Sequence, residues 1–212
     1  PEFLEEVSRM KEKNLAVELL KKLIAEQIYI YRKTNVVKSE KFSEIIKAAM
    51  NRYLNGMLTN EQVIEELLNL AKQIAAAQKE GDELGLTADE LAFYDALTKP
   101  QAIKDFYENE ELIALTKELA DALRRNKTID WQKRDSARAK MRMMIKRLLK
   151  KHGYPPEGRD DAVETVMTQC ELWTDNNDMT DSQKQITYEY TVDTNNSLGK
   201  VAEKMNYAGN NK

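Results

Sequence analysis

Residues 128–156 read TIDWQKRDSARAKMRMMIKRLLKKHGYPP. Ala137, Met141, Met144, Ile145, Leu148 and Leu149 recur there every three or four positions, the period of an α-helix with one apolar face. The spacing predicts a helix from about Lys133 to His152, stopped by Gly153-Tyr154-Pro155-Pro156, because proline cannot extend the backbone hydrogen-bond ladder. Arg142, Lys146 and Lys150 line one side of the apolar stripe. Lys133, Lys140, Arg147 and Lys151 line the other, and Asp135 is the only acid inside the helix.

The same period extends outward in both directions. Upstream, Leu15, Leu19, Leu20, Leu23, Ile24, Ile28 and Tyr31 form one face, ended by Lys33-Thr34-Asn35. Ser39 is positioned to cap a helix carrying Phe42, Ile45, Ile46, Ala49 and Tyr53, closed by Asn55-Gly56. Thr59 with Gln62 and Thr87 with Glu90 have the spacing of capping boxes. Behind the first lie Val63, Leu67, Leu70, Ile74 and Ala77, with a break predicted at Gly81–Gly85. Behind the second lie Leu91, Phe93, Tyr94 and Leu97, up to Pro100. A further helix from about Glu110 carries Leu112, Leu115, Leu119 and Leu123, and a last one carries Ala162, Val163, Val166, Met167 and Trp173. The fold expected is therefore all-α, one irregular multi-helix domain over residues 1–173. A polar C-terminal tail follows over 174–212. In it Ile186, Tyr188, Tyr190 and Val192 alternate as in a strand, and a short helix is possible near Leu198–Met205. Docking and disorder are both open for that tail.

Composition limits the function. Hydrophobic residues make up 42% of the 212 and charged residues 33%, with only 7 Gly and 4 Pro, as suits long helices with solvated faces. The net charge of −3 rules out attraction of nucleic acid by the whole chain and leaves only a local patch. One cysteine, Cys170, and one histidine, His152, exclude an internal disulfide and a Cys/His zinc site. The lone cysteine suits a reducing cytoplasm, and no apolar run reaches membrane-spanning length. The opening Pro1-Glu2-Phe3, without Met, is read as a cloning scar on a piece of a longer protein.

No Gly-x-x-x-x-Gly-Lys-Ser/Thr loop is present to cradle a nucleotide, and a lone histidine with no nucleophile elbow cannot build a hydrolytic triad. His152, after two lysines at a helix end, suits the C-terminal dipole. The pairs Glu5/Glu6, Glu65/Glu66, Glu110/Glu111 and Asp160/Asp161 read as solvated helix faces. No catalytic or metal-binding residue is assigned. The cationic helix is the exception to this plainness. Concentrated positive charge attracts phosphates and releases counterions without reading sequence. Lys133, Lys140, Arg142, Lys146, Arg147, Lys150 and Lys151 are accordingly the candidate DNA contacts, unless acidic neighbours such as the Glu108–Glu111 run neutralise them. Arg134 and Arg138 lie near the apolar stripe and need acidic partners. With Trp131 they are the candidate assembly residues. Trp131 suits either a core or an interface. Polar Gln132–Ser136 argues against a membrane-surface helix.

Residues 128–156 resemble the C-terminal helical domain of the motor (R, restriction) subunits of type I restriction-modification enzymes. Three other stretches carry the same resemblance: Thr34–Ser43; Met50–Gly56 together with Val63–Leu67; and Leu84–Leu97. It covers residues 4–173. The resemblance implies a parent that cleaves DNA as an endonuclease, hydrolyses ATP with Mg2+ to translocate duplex DNA, and assembles with modification and specificity subunits. It implies no cofactor and no catalysis within this stretch. The stretch would work in assembly and sequence-independent DNA contact, or in protein docking alone, beside the rest of the motor subunit and away from any membrane.

Overall fold

The structure, a computed structural model, describes residues 2–99, 102–128 and 131–184. All regular elements among them are helical: α1 (Glu2–Arg9), α2 (Lys13–Thr34), α3 (Val36–Leu54), α4 (Asn60–Leu84), α5 (Ala88–Leu97), α6 (Ala102–Phe106), α7 (Asn109–Asn126), a 3-10 turn (Trp131–Lys133), α8 (Asp135–Lys151) and α9 (Pro156–Lys184). The expected all-α fold is observed. The strand pattern at 186–192 and the short helix at 198–205 lie outside the described residues.

Both predicted capping boxes form. Thr59 and Thr87 accept from the backbone N–H of Gln62 and Glu90, whose side chains reach back to the cap N–H at 2.9 Å in each case. Elsewhere the boundaries move. Asn35, not Ser39, caps α3, accepting from the Lys38 N–H at 3.0 Å, and Ser39 is buried inside the helix. Gly81 does not break α4, which runs on to Leu84 and ends at left-handed Gly85 (φ 62°). Gly81 instead lets the Leu86 carbonyl and Leu91 pack closely, since a Cβ there would lie 3.1 Å from that oxygen. The predicted helix from Lys133 starts at Asp135, after the separate 3-10 turn. α9 continues past Trp173 to Lys184.

Two apolar cores result. In the first, α2, α3 and α4 bury Val17, Leu20, Ile24, Ile28, Phe42, Leu67, Leu70 and Ile74. In the second, α5, α7, α8 and α9 enclose Leu97, Leu115, Leu119, Leu123, Trp131, Ile145, Leu149, Tyr154, Val163 and Val166. α5 lies between them, in contact with α3 and α4 on one side and α7 and α9 on the other. Every residue from Leu91 to Leu97 is buried. A helix enclosed on all sides needs no polar face.

A polar seam joins the cores. The Asn35 Nδ2 donates to Asp95 Oδ2 at 2.7 Å. The Lys38 ammonium lies 2.9 Å from Glu80 and 3.5 Å from Asp95, and donates to the Ala77 carbonyl at 3.0 Å. Gln169 of α9 bridges the α2–α3 corner, donating to the Thr34 carbonyl at 2.8 Å and accepting from the Val36 N–H at 2.9 Å. A buried lysine is tolerated only with such partners.

Candidate functional site

α8 buries Met141, Ile145, Leu148 and Leu149, the centre of the stripe expected from sequence. Its remaining surface divides into two flanks and a solvent face, which six of the seven candidate cations share; the seventh, Lys133, sits in the preceding 3-10 turn.

The first flank runs antiparallel to α9 and meets its acids in order. Arg138 pairs with Glu171, Arg142 with Glu164 at 2.9 Å, and Lys146 with Asp160 at 2.8 Å. The Lys146 hydrogen bond holds the Asp160 carboxyl below its usual range. The neutralising acids thus come from α9, not from the Glu108–Glu111 run. These pairs are substantially exposed, so they add little to stability. Their importance is that they occupy the cations.

The second flank faces α7. Lys151 donates to Glu118 at 2.6 Å, and the His152 Nε2 lies 2.7 Å from the other Glu118 oxygen. Both contacts lower the Glu118 pKa, the Lys151 hydrogen bond most. His152 therefore shares an acid with Lys151 across the α7–α8 interface, in addition to its place at the helix end.

Lys140, Arg147 and Lys150 are exposed and make no ion pair among the described residues. Lys133 is exposed but engaged. Arg134 is exposed at the N-cap of α8, and not at the edge of the core where helical extrapolation from sequence put it. The extrapolation failed because the 3-10 turn changes direction before α8 begins.

Trp131 is 1% exposed and donates from Nε1 to Thr174 Oγ1 at 3.1 Å. It is a core residue of this fold. Gln132 beside it donates to the Glu171 carbonyl and the Asp175 carboxylate, both at 3.0 Å.

Between α7 and α8 the surface opens into a groove of about 500 Å³, lined by Asn126, Lys140, Met143, Met144, Arg147, Leu148 and Lys151. Its floor is thioether and aliphatic, and its rim is cationic. Met143 is 53% exposed. Sequence reading had assigned the cations around this groove but not the methionine among them. Helical spacing could have found it, since Met143 falls between Lys140 and Arg147 and outside the buried stripe.

Among the described residues no group of three or more His, Cys, Asp or Glu side chains is placed to hold a metal ion, and no helix is long and apolar enough to cross a membrane. Cys170 is fully buried, and burial pushes its thiol up to about 12, so it is not a ready nucleophile.

Residues 1–176 match the family described as type I restriction enzyme HindI endonuclease subunit-like, C-terminal. The chain is 37% identical over 170 residues to the type I restriction enzyme HindI endonuclease subunit of Haemophilus influenzae, covering 80% of this chain and 16% of that protein. It is 35% identical over 153 residues to a protein of Methanocaldococcus jannaschii named as a type I restriction enzyme MjaIXP endonuclease subunit, covering 72% of this chain and 15% of that one. The chain thus spans about a sixth of the length of these relatives. No solved structure matches it significantly. The family match and the two sequence relationships agree, and the chain belongs to the family of C-terminal regions of type I restriction enzyme endonuclease subunits.

Proposed function

We propose that this chain is a non-catalytic assembly module of a type I restriction endonuclease subunit, joining a parent that uses ATP and Mg2+ to the modification and specificity subunits. The observation that carries this reading is the open groove beside α8. It combines exposed methionine with a cationic rim, on a domain whose other basic flank is already occupied by α9. Exposed apolar surface rimmed by charge is the chemistry of a protein contact. Removing the module from the parent subunit should abolish stable association with the other two subunits in sedimentation velocity. Intact association would overturn the assembly reading.

A second reading, sequence-independent DNA contact, is favoured by Lys140, Arg147 and Lys150. They are free of ion pairs among the described residues and span ten residues of α8, about 15 Å along the axis. If all three meet phosphates, reversing them to Glu should weaken DNA binding by the assembled enzyme. The slope of log K against log salt should become shallower by about 2.7, at roughly 0.9 per phosphate lost. An unchanged slope would remove this reading. Arg142 and Lys146 are unsuitable for the test, because Glu at those positions would face Glu164 and Asp160 and disturb the α8–α9 contact itself.

A further inference from the structure

The geometry points to a specific occupant for the α7–α8 groove: about three turns of an acidic amphipathic helix supplied by a protein partner. The inference rests on the assembly reading above and names the chemistry of its partner.

The groove's long dimension is set by α8. From Lys140 to Lys151 the helix advances eleven residues, about 16 Å, which three turns of an incoming helix would match. Lys140, Met144, Arg147 and Lys151 follow one another at intervals of four, three and four. This is the spacing with which one helix offers a continuous seam to another. Along the seam the apolar positions are Met143, Met144 and Leu148, and the charged ones are all cations.

An occupant must satisfy both chemistries. A sugar-phosphate backbone would meet the cations and leave the methionine floor against water or phosphate, with no gain from apolar burial. A purely apolar helix would cover the floor and strand the cations. An amphipathic helix with Leu or Ile facing the floor and Glu or Asp at the edges buries Met143 and pairs Lys140 and Arg147. Methionine suits such a contact, because its flexible thioether adapts to different side chains. Lys151 needs no new partner, since Glu118 already holds it at 2.6 Å. The specificity-bearing cations are therefore Lys140 and Arg147.

The test uses the 212-residue chain and two synthetic helical peptides of three to four turns. One carries Leu on one face with Glu along both edges, and the other has Lys in place of every Glu. The acidic peptide should bind and the basic one should not, by fluorescence anisotropy. Met143→Asp, and separately Lys140→Glu with Arg147→Glu, should each weaken the acidic peptide by about tenfold or more. Both sites are exposed, so far-ultraviolet circular dichroism should be unchanged. No binding, equal binding of both peptides, or binding indifferent to these substitutions would overturn the inference. So would displacement of the peptide by a short duplex DNA at equal concentration. The same substitutions in the full parent subunit separate this idea from the reading beneath it. If assembly requires the module yet tolerates Met143→Asp and the Lys140/Arg147 reversal, the groove assignment fails and the assembly role survives. If assembly ignores the whole module, both fail.

Discussion

Replacing Lys38 with Met is expected to destabilise the domain by about 3–5 kcal/mol, the range for removing one partner of a buried ion pair. The Lys38 side chain is 6% exposed and stands between the carboxylates of Asp95 (9%) and Glu80 (32%). Without its ammonium, Asp95 remains enclosed with only the Asn35 amide to stabilise its charge, and Glu80 repels it. Glu80 can turn outward, but Asp95 cannot. The double replacement Lys38→Met with Asp95→Leu should therefore recover part of the loss, because no charge is left buried; the Asn35 amide, which loses its acceptor, keeps the recovery incomplete. Chemical denaturation of the two single variants and the double variant, compared as a cycle, checks this. Additive losses would mean that the seam is not a unit.

The same seam sets a pH dependence whose sign is fixed by burial. Desolvation raises the Asp95 pKa above the ordinary 3.8, outweighing the opposing effects of Lys38 and Asn35. Folding thus favours the neutral acid. Its stabilising contribution is complete below 3.8 and is lost as pH rises through the raised value. Relative to Asp95→Asn, the native protein should gain stability on acidification through that window. Glu118 and Asp160, whose pKa values are lowered, act in the opposite sense. They are common to both proteins and cancel in the difference. A flat difference between the two stability curves would contradict the assignment.

Trp131→Ala is expected to cost about 3–5 kcal/mol, the usual range for truncating a buried tryptophan. For a domain of this size that lowers the melting temperature by roughly 10 °C. The indole is enclosed in the second core, and its N–H is satisfied by Thr174. Truncation leaves a cavity and frees a hydroxyl that still has the Cys170 carbonyl at 2.9 Å. Trp131→Phe keeps most of the packing and should cost much less. Any loss of subunit assembly in Trp131→Ala would therefore follow from unfolding and should be relieved by cooling. An assembly defect in a variant that melts normally would restore Trp131 as a surface anchor.

The helices were legible because their apolar periodicity is strong and their caps are local. Thr59/Gln62 and Thr87/Glu90 need no tertiary information. Gly81 misled because its role is close packing against Leu86 and Leu91, a tertiary contact that resembles a helix stop in sequence. The seam was hidden for a similar reason. Asp95 lies 60 residues from Asn35, and Asn35, Lys38 and Asp95 individually look like surface residues. The one local clue is that Asp95 interrupts the apolar run Leu91–Leu97. The cations of α8 were found by counting charges, but counting cannot say which are occupied. That depended on α9 running antiparallel, with Asp160, Glu164 and Glu171 spaced to meet Lys146, Arg142 and Arg138.

The most direct test of the account is to place a photo-reactive side chain in the groove, as Met143→p-benzoylphenylalanine, within the full endonuclease subunit assembled with its modification and specificity subunits on DNA. Irradiation should give a covalent adduct to another polypeptide, mapping to an acidic helical segment. An adduct to DNA alone, or none in a fully assembled enzyme, would contradict the central claim that this groove is where the module is held by protein.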